Sequence, residues 1–187
     1  NNMRMIEKAF RTAVISLSIV TLLLTGCTYT DGPTPMSQEL QDEYVVNAFV
    51  DIFWHIYDQN IAHQTVGEKD FTVNGPEGGF VHVTGSNWYD IATGQYPIDF
   101  VCEFYNYHQI KEIDYDLVIT GAVHAVGAYN SSFVYVTFTA DSVSFIGNLG
   151  TEGYLTDVHS TGSEFDFLQE LHKVSGTIDN REVEWTF

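Results

Sequence analysis

The sequence predicts a mainly β domain: a curved antiparallel sheet, forming a sandwich or partial barrel, with one N-terminal α-helix packed against it. Two changes of pattern and one of composition carry this reading. From Phe71 onward apolar residues recur with a period of two, the spacing of strands with one buried face, and short turn signals rather than helical crossovers join the runs. Between Ser37 and Asp58 they recur at three- and four-residue steps, the spacing of a helix. Of 187 residues, 44% are hydrophobic and 14% aromatic, which supplies a packed core that disordered chains cannot build.

The helix is predicted from its ends inward. Ser37 suits the N-cap, where a side-chain oxygen accepts a free backbone N–H, and Glu39, Asp42 and Glu43 follow where the helix dipole favours acids. Leu40, Tyr44, Val45, Ala48, Phe49, Ile52, Phe53 and Ile56 make a wide apolar stripe, with Asp51 on the opposite face. Val46, Val50, Trp54 and Tyr57 add a second strip, so the helix should be covered on its flank as well. Its end is expected near Asp58–Asn60.

Nine strands follow in the pattern: Phe71–Asn74, Gly79–Gly85, Ile98–Tyr107, Tyr115–His124, Ser132–Thr139, Ser142–Gly147, Phe165–Leu171, Val174–Ile178 and Arg181–Phe187. Asn74-Gly75-Pro76, Ala140-Asp141 and Asp179-Asn180 read as turns, the last as a tight hairpin because Asn and Asp tolerate left-handed backbone. Four apolar segments end in glycine, at Gly85, Gly121, Gly147 and Gly176. Glycine at such places implies bends, bulges or a close approach of neighbouring backbone, which is how a sheet curls. The helix is then expected on the concave side or at the open end. Cys102, in phase with Ile98, Phe100 and Phe104, reads as a buried small hydrophobe rather than a reactive thiol.

Residues before the helix carry a different signal. Arg4, Lys8 and Arg11 precede an uncharged apolar run, Ala13–Leu24, which ends in Leu24-Thr25-Gly26-Cys27. A bilayer-spanning helix needs about 20 apolar residues, so this run is too short to span and suits a signal peptide. The segment resembles the lipobox of bacterial lipoprotein precursors. That resemblance implies cleavage after Gly26 by signal peptidase II and lipidation of Cys27, and two or three acyl chains anchor stably where one does not. Residues 1–26 are thus expected to be the signal peptide, 27–36 the lipidated cysteine and a Gly- and Pro-containing tether, and 37–187 the single domain. Thr28, where some families place a retention Asp, implies the outer membrane, with the face toward which the domain points left open.

Charge narrows the partners. The chain has 25 acidic and seven basic residues, and three of the bases but one of the acids precede Cys27. The chain beyond Cys27 therefore carries 24 acids against four bases, a field that repels phosphate backbones and anionic lipid. Nucleic acid is not an expected partner.

The search for catalytic chemistry returns little. GxSxG, HExxH, CxxC, P-loop, GxGxxG and EF-hand patterns are all lacking, so no cofactor or metal is expected and the chain does not read as an enzyme. Seven histidines stand singly; His82 and His124 fall on strands that could face one another, but solvated or hydrogen-bonded histidines are the simpler expectation. Glu112, Asp114 and Asp116, and Glu164 with Asp166, alternate as calcium-binding carboxylates could, yet an ordinary solvated strand face alternates the same way.

Aromatic residues are the remaining candidates. If Phe100 and Phe104 face the core, then Tyr105 and Tyr107 face away, Tyr135 joins them from a later strand, and Trp88 sits in a loop. An exposed set of this kind suits protein or carbohydrate contact. The simpler expectation is that both faces of the sheet are buried, one by the helix and one by a second sheet layer. The leading functional expectation is a lipid-anchored, non-enzymatic envelope module that binds a protein or glycan. In outline the arrangement is also similar to the lipoprotein-localisation receptors, whose half-open barrels hold acyl chains, and that likeness implies a hydrophobe carrier as the alternative.

Overall fold

The computed structural model describes residues 36–112, 114–151 and 154–186. Cys27, the apolar run before it and most of the tether lie outside the described residues. Ser37 caps the helix as its position predicts: its backbone is extended (φ −61°, ψ 153°) and its Oγ accepts the Leu40 N–H at 3.3 Å. Helix α1 (Gln38–Asn60) closes where the Ile61 N–H donates to the Tyr57 carbonyl at 2.8 Å.

Among the described residues eight strands follow: β1 (Gly67–Asn74), β2 (Gly78–Asn87), β3 (Tyr96–Lys111), β4 (Tyr115–Asn130), β5 (Phe133–Thr151), β6 (Tyr154–Glu170), β7 (Lys173–Ile178) and β8 (Arg181–Thr186). Each pairs antiparallel with the next, giving one sheet in the order β1 to β8. A strict meander follows from the short connections, which leave a strand nowhere to go but beside its predecessor. Among the described residues there is one sheet, and no second layer of them covers its outer face. His82, Glu103, Asp99 and His124 stand there, and the expectation that both faces are buried is corrected.

The sheet curls around α1. The Phe49 ring, fully buried, lies with its centroid 6.0 Å from that of Phe104 on β3 and 6.0 Å from that of Phe167 on β6. Three strand spacings in a flat sheet span about 14 Å, more than one ring can bridge at those distances. Phe138 and Phe145 of β5 and Phe165 of β6 complete the cage. The second apolar strip of the helix is explained by the same curl, since Val46, Val50 and Tyr57 are buried along with Val45, Ala48, Phe49, Ile52, Phe53 and Ile56 of the main stripe, whereas Leu40 of that stripe is exposed. An ion pair fastens the first half of the helix: Arg181 Nε lies 2.5 Å from Asp42 Oδ2, and Asp42 is buried. Arg181 follows the Asp179-Asn180 turn, whose two residues are left-handed (φ 48° and 61°) as the sequence predicts.

Two expectations fail at bulges. Ala140-Asp141 is not a turn between two strands; β5 runs through it, with extra residues opposite β4 and β6 between Ala140 and Val143. Asn106 bulges β3 (φ 51°), so Phe104 and Tyr107 both point inward and Tyr107 is only 1% exposed. The period-two count that sends Tyr107 outward skips a residue there. Gly121 of β4 faces the β5 bulge with φ +126°, and a Cβ on it would sit 2.5 Å from the Ser142 carbonyl oxygen. Gly85, Gly147 and Gly176 meet neighbouring strands as closely, so the glycine recurrence does mark backbone approach. Cys102 is buried with no disulfide partner among the described residues, and burial pushes its thiol up to about 12.

Candidate functional site

Phenylalanine rings fill the interior around Phe49, and a groove opens on the other side of the helix. Tyr44, Asn47, Asp51 and Trp54, spaced by three, four and three residues, form one stripe of α1 that faces away from the cage and floors a groove of about 550 Å³. The ends of β3 to β6, β8 and the connections beside them make the walls. Lys111, Asp114, Tyr115 and Gly150 stand on one side. Gln169, Leu171 and Trp185, from the opposite strand ends, stand on the other. A second hollow of about 480 Å³ shares Asp51, Trp54 and Lys111 and extends the groove past His55 and Asp58 to Pro76.

The polar groups are held in place. Trp54 Nε1 donates to Gln169 Oε1 at 2.7 Å, tying floor to wall. Tyr115 OH donates to Asp51 Oδ2 at 2.8 Å, and Lys111 Nζ reaches Asp51 at 3.2 Å and Asp114 at 3.5 Å. Burial would lower the Lys111 ammonium, but the two carboxylates outweigh it and hold it above its ordinary value. Behind Tyr115 a chain runs into the core: Gln109 donates to the Tyr115 hydroxyl at 3.2 Å, and the Tyr107 hydroxyl donates to Gln109 at 3.1 Å. Burial first, then the Asp51 hydrogen bond, drives the Tyr115 hydroxyl well above its ordinary value; burial alone pushes that of Tyr107 up to about 12. Tyr44 packs edge-on to Trp185 with centroids 5.2 Å apart, lining the groove with aromatic surface. The groove thus offers apolar ring faces beside fixed amide, carboxylate and ammonium groups.

Comparison with protein-family models, curated proteins and solved structures gives no match. The site therefore speaks through its geometry alone.

The aromatic residues singled out from the sequence do not form one site. Tyr107 lies in the core, where it anchors the chain behind Tyr115. Tyr105 is exposed on the outer face, stacked on Phe80 at 4.7 Å. Trp88 and Tyr135 are exposed near one end of the sheet, beside the β2–β3 and β4–β5 connections. Three of the seven histidines pair with carboxylates: His82 with Asp70 (2.8 Å) and Glu103 (3.4 Å), His108 with Asp116 (2.7 Å), and His124 with Asp99 (2.7 Å). Among the described residues no three His, Cys, Asp or Glu side chains converge as a metal site would need. No described helix is long and apolar enough to cross a membrane.

Groove residues escape a reading of the sequence for a simple reason. The sequence sets Tyr44 on the main apolar stripe, Trp54 on the second strip and Asp51 on the opposite face, so the helical period alone does not single them out as one stripe. Their meaning comes from Lys111 and Trp185, which lie 60 and 131 residues beyond Asp51 and Trp54 in the chain and arrive only through the curl.

Proposed function

We propose that this chain is a lipid-anchored module of the bacterial cell envelope that binds a neutral glycan, without catalysis, in the groove over α1. The groove's composition carries the reading. Saccharides present apolar C–H faces that lie on aromatic rings and hydroxyls that pair with amides and carboxylates, and the half-buried Tyr44, Trp54 and Trp185 stand here beside Asn47 and Asp51. The acidic balance of the chain weighs against an anionic ligand. A binding role also fits the carboxylates Asp51 and Asp114, which are both engaged by Lys111 rather than poised as a free acid–base pair. The carrier alternative is supported less, because the space an acyl chain would need between helix and sheet is occupied by Phe49 and its cage. The anchor rests on the lipobox resemblance at Leu24–Cys27 and the outer-membrane address on Thr28.

The full chain, screened on an array of neutral and charged oligosaccharides, should retain neutral members, and Asn47→Ala and Trp185→Ala should lose them while keeping a cooperative melt. Stoichiometric acyl chains copurifying with the protein, or retention unaffected by both substitutions, would overturn the glycan reading. Fatty-acid labelling that persists in Cys27→Ser would remove the anchor.

A further inference from the structure

In a meander alternate connections gather at opposite ends of the sheet, and here the two ends differ in chemistry. The β2–β3, β4–β5 and β6–β7 connections lie at one end: residues 88–95, 131–132 and 171–172. Together they contain a single acid, Asp90, and no Lys or Arg, in a chain with 25 acids. The described residues of the connections at the other end are fewer yet carry Glu77, Glu112, Asp114 and Asp179. The acid-poor end also exposes a cluster of large side chains: Trp88, Tyr89, Ile91, Tyr96, Phe133 and Tyr135. Ile91 at its tip is 87% exposed, more than any other large hydrophobic side chain among the described residues.

This end is built to hold that shape. Both Asp90 carboxylate oxygens are used inside the loop, Oδ1 accepting the Ala92 N–H and Oδ2 the Thr93 hydroxyl, each at 2.9 Å. The hydrogen bond to Thr93, then that from Ala92, holds the carboxyl below its ordinary value. Asp90 and Gln95 bridge across the loop base, and Asn130 Nδ2 reaches the Gly94 carbonyl at 3.4 Å, tying the loop to the next connection. Tyr89 leans on Tyr96 at 4.9 Å and Tyr96 stacks on Tyr129 at 5.7 Å, so the exposed rings are backed by the core. A rigid apolar tip with Tyr and Trp around it and no groove is poorly shaped for a small ligand. Tyr and Trp favour the headgroup level of a bilayer, with an aliphatic tip below them. The lack of Lys and Arg selects an uncharged surface over an anionic one.

We propose that the β2–β3 connection inserts into the headgroup region of a zwitterionic lipid surface, with Ile91 at the greatest depth and Trp88, Tyr89 and Tyr96 at the interface. No residue of the β2–β3 connection lines the groove, and the insertion does not depend on how the chain is anchored. The chain has three tryptophans, and only Trp88 belongs to the connections at this end. The full chain is mixed with phosphatidylcholine vesicles containing brominated acyl chains, and tryptophan emission is read. Wild-type emission should be partly quenched. The quenchable fraction should disappear in Trp88→Phe, and in Ile91→Asp, which leaves Trp88 in place. Quenching should weaken as phosphatidylglycerol replaces phosphatidylcholine. Equal quenching in wild type and Trp88→Phe, no quenching in wild type, or quenching that requires the anionic lipid would each overturn the proposal, and the tip would then be a surface for a protein.

Discussion

Replacing Phe49 by alanine tests the curl of the sheet around the helix. The ring is fully buried and sits within 6.3 Å, centroid to centroid, of Phe104, Phe138, Phe145, Phe165 and Phe167. Losing the transfer free energy of a buried Phe side chain costs about 2–3 kcal/mol. The remaining cavity adds roughly 24 cal/mol per Å³ that the surroundings fail to fill. Its walls are aromatic rings from three strands, rigid groups that cannot all move inward, so the total should fall at the upper end of the usual range of about 3–5 kcal/mol. For a domain of this length that is a drop of roughly 10–20 °C in melting temperature. Urea unfolding followed by circular dichroism would give the value at an unchanged slope. Leu40→Ala, on the same helix but exposed, should cost little. A loss below about 1 kcal/mol at Phe49 would mean that the ring is not caged and that the sheet is flatter than described.

Arg181→Ala leaves Asp42 buried with Gln38 as its remaining side-chain partner, which should cost about 1–3 kcal/mol in denaturant unfolding. Asp42→Asn in the same chain should recover part of that loss. Gly121→Ala adds both backbone strain and a clash with the Ser142 carbonyl, so it should cost about 2–3 kcal/mol, clearly more than Gly94→Ala, whose Cβ meets nothing closer than 4.0 Å. The Asp70 hydrogen bond, then the Glu103 bond, raises the folded-state pKa of His82 above its ordinary value near 6.5. A raised value means the stabilisation is fully present below about pH 6.5 and is lost as pH rises through the folded-state pKa. The melting temperature of the wild type should therefore fall toward that of His82→Gln over the range just above pH 6.5, and parallel profiles would show that the cluster does not titrate as described.

The fold is legible in the sequence where local pattern and tertiary packing agree. The N-cap at Ser37, the helical stripe through Phe49 and Phe53, the left-handed turn at Asp179-Asn180 and the close-approach glycines each follow from short-range chemistry and stand where expected. Legibility ends at the bulges. One extra residue at Asn106 reverses the side of everything after it, and nothing in Phe104-Tyr105-Asn106-Tyr107 marks that residue as extra. The same holds at Ala140-Asp141, where a bulge and a turn share their residue types. A second sheet layer is the natural expectation for strands rich in Val and Ile on both sides; in the structure Val101, Val126 and Ile146 are simply exposed on the outer face. The groove is the least legible feature, because its floor and walls are remote in sequence and its polar groups serve equally well in solvent.

The claim that the groove over α1 is the binding site is tested most directly by its tryptophans. With the indole nitrogens labelled, the three side chains give three N–H signals, from Trp54 on the floor, Trp185 on the wall and Trp88 in the β2–β3 connection. Titration with a neutral oligosaccharide from the array, or with N-acetylglucosamine oligomers as the starting probe, should shift Trp54 and Trp185 saturably and leave Trp88 in place. Saturable shifts at Trp88 alone, or none at Trp54 and Trp185 with any neutral glycan the chain retains, would contradict it.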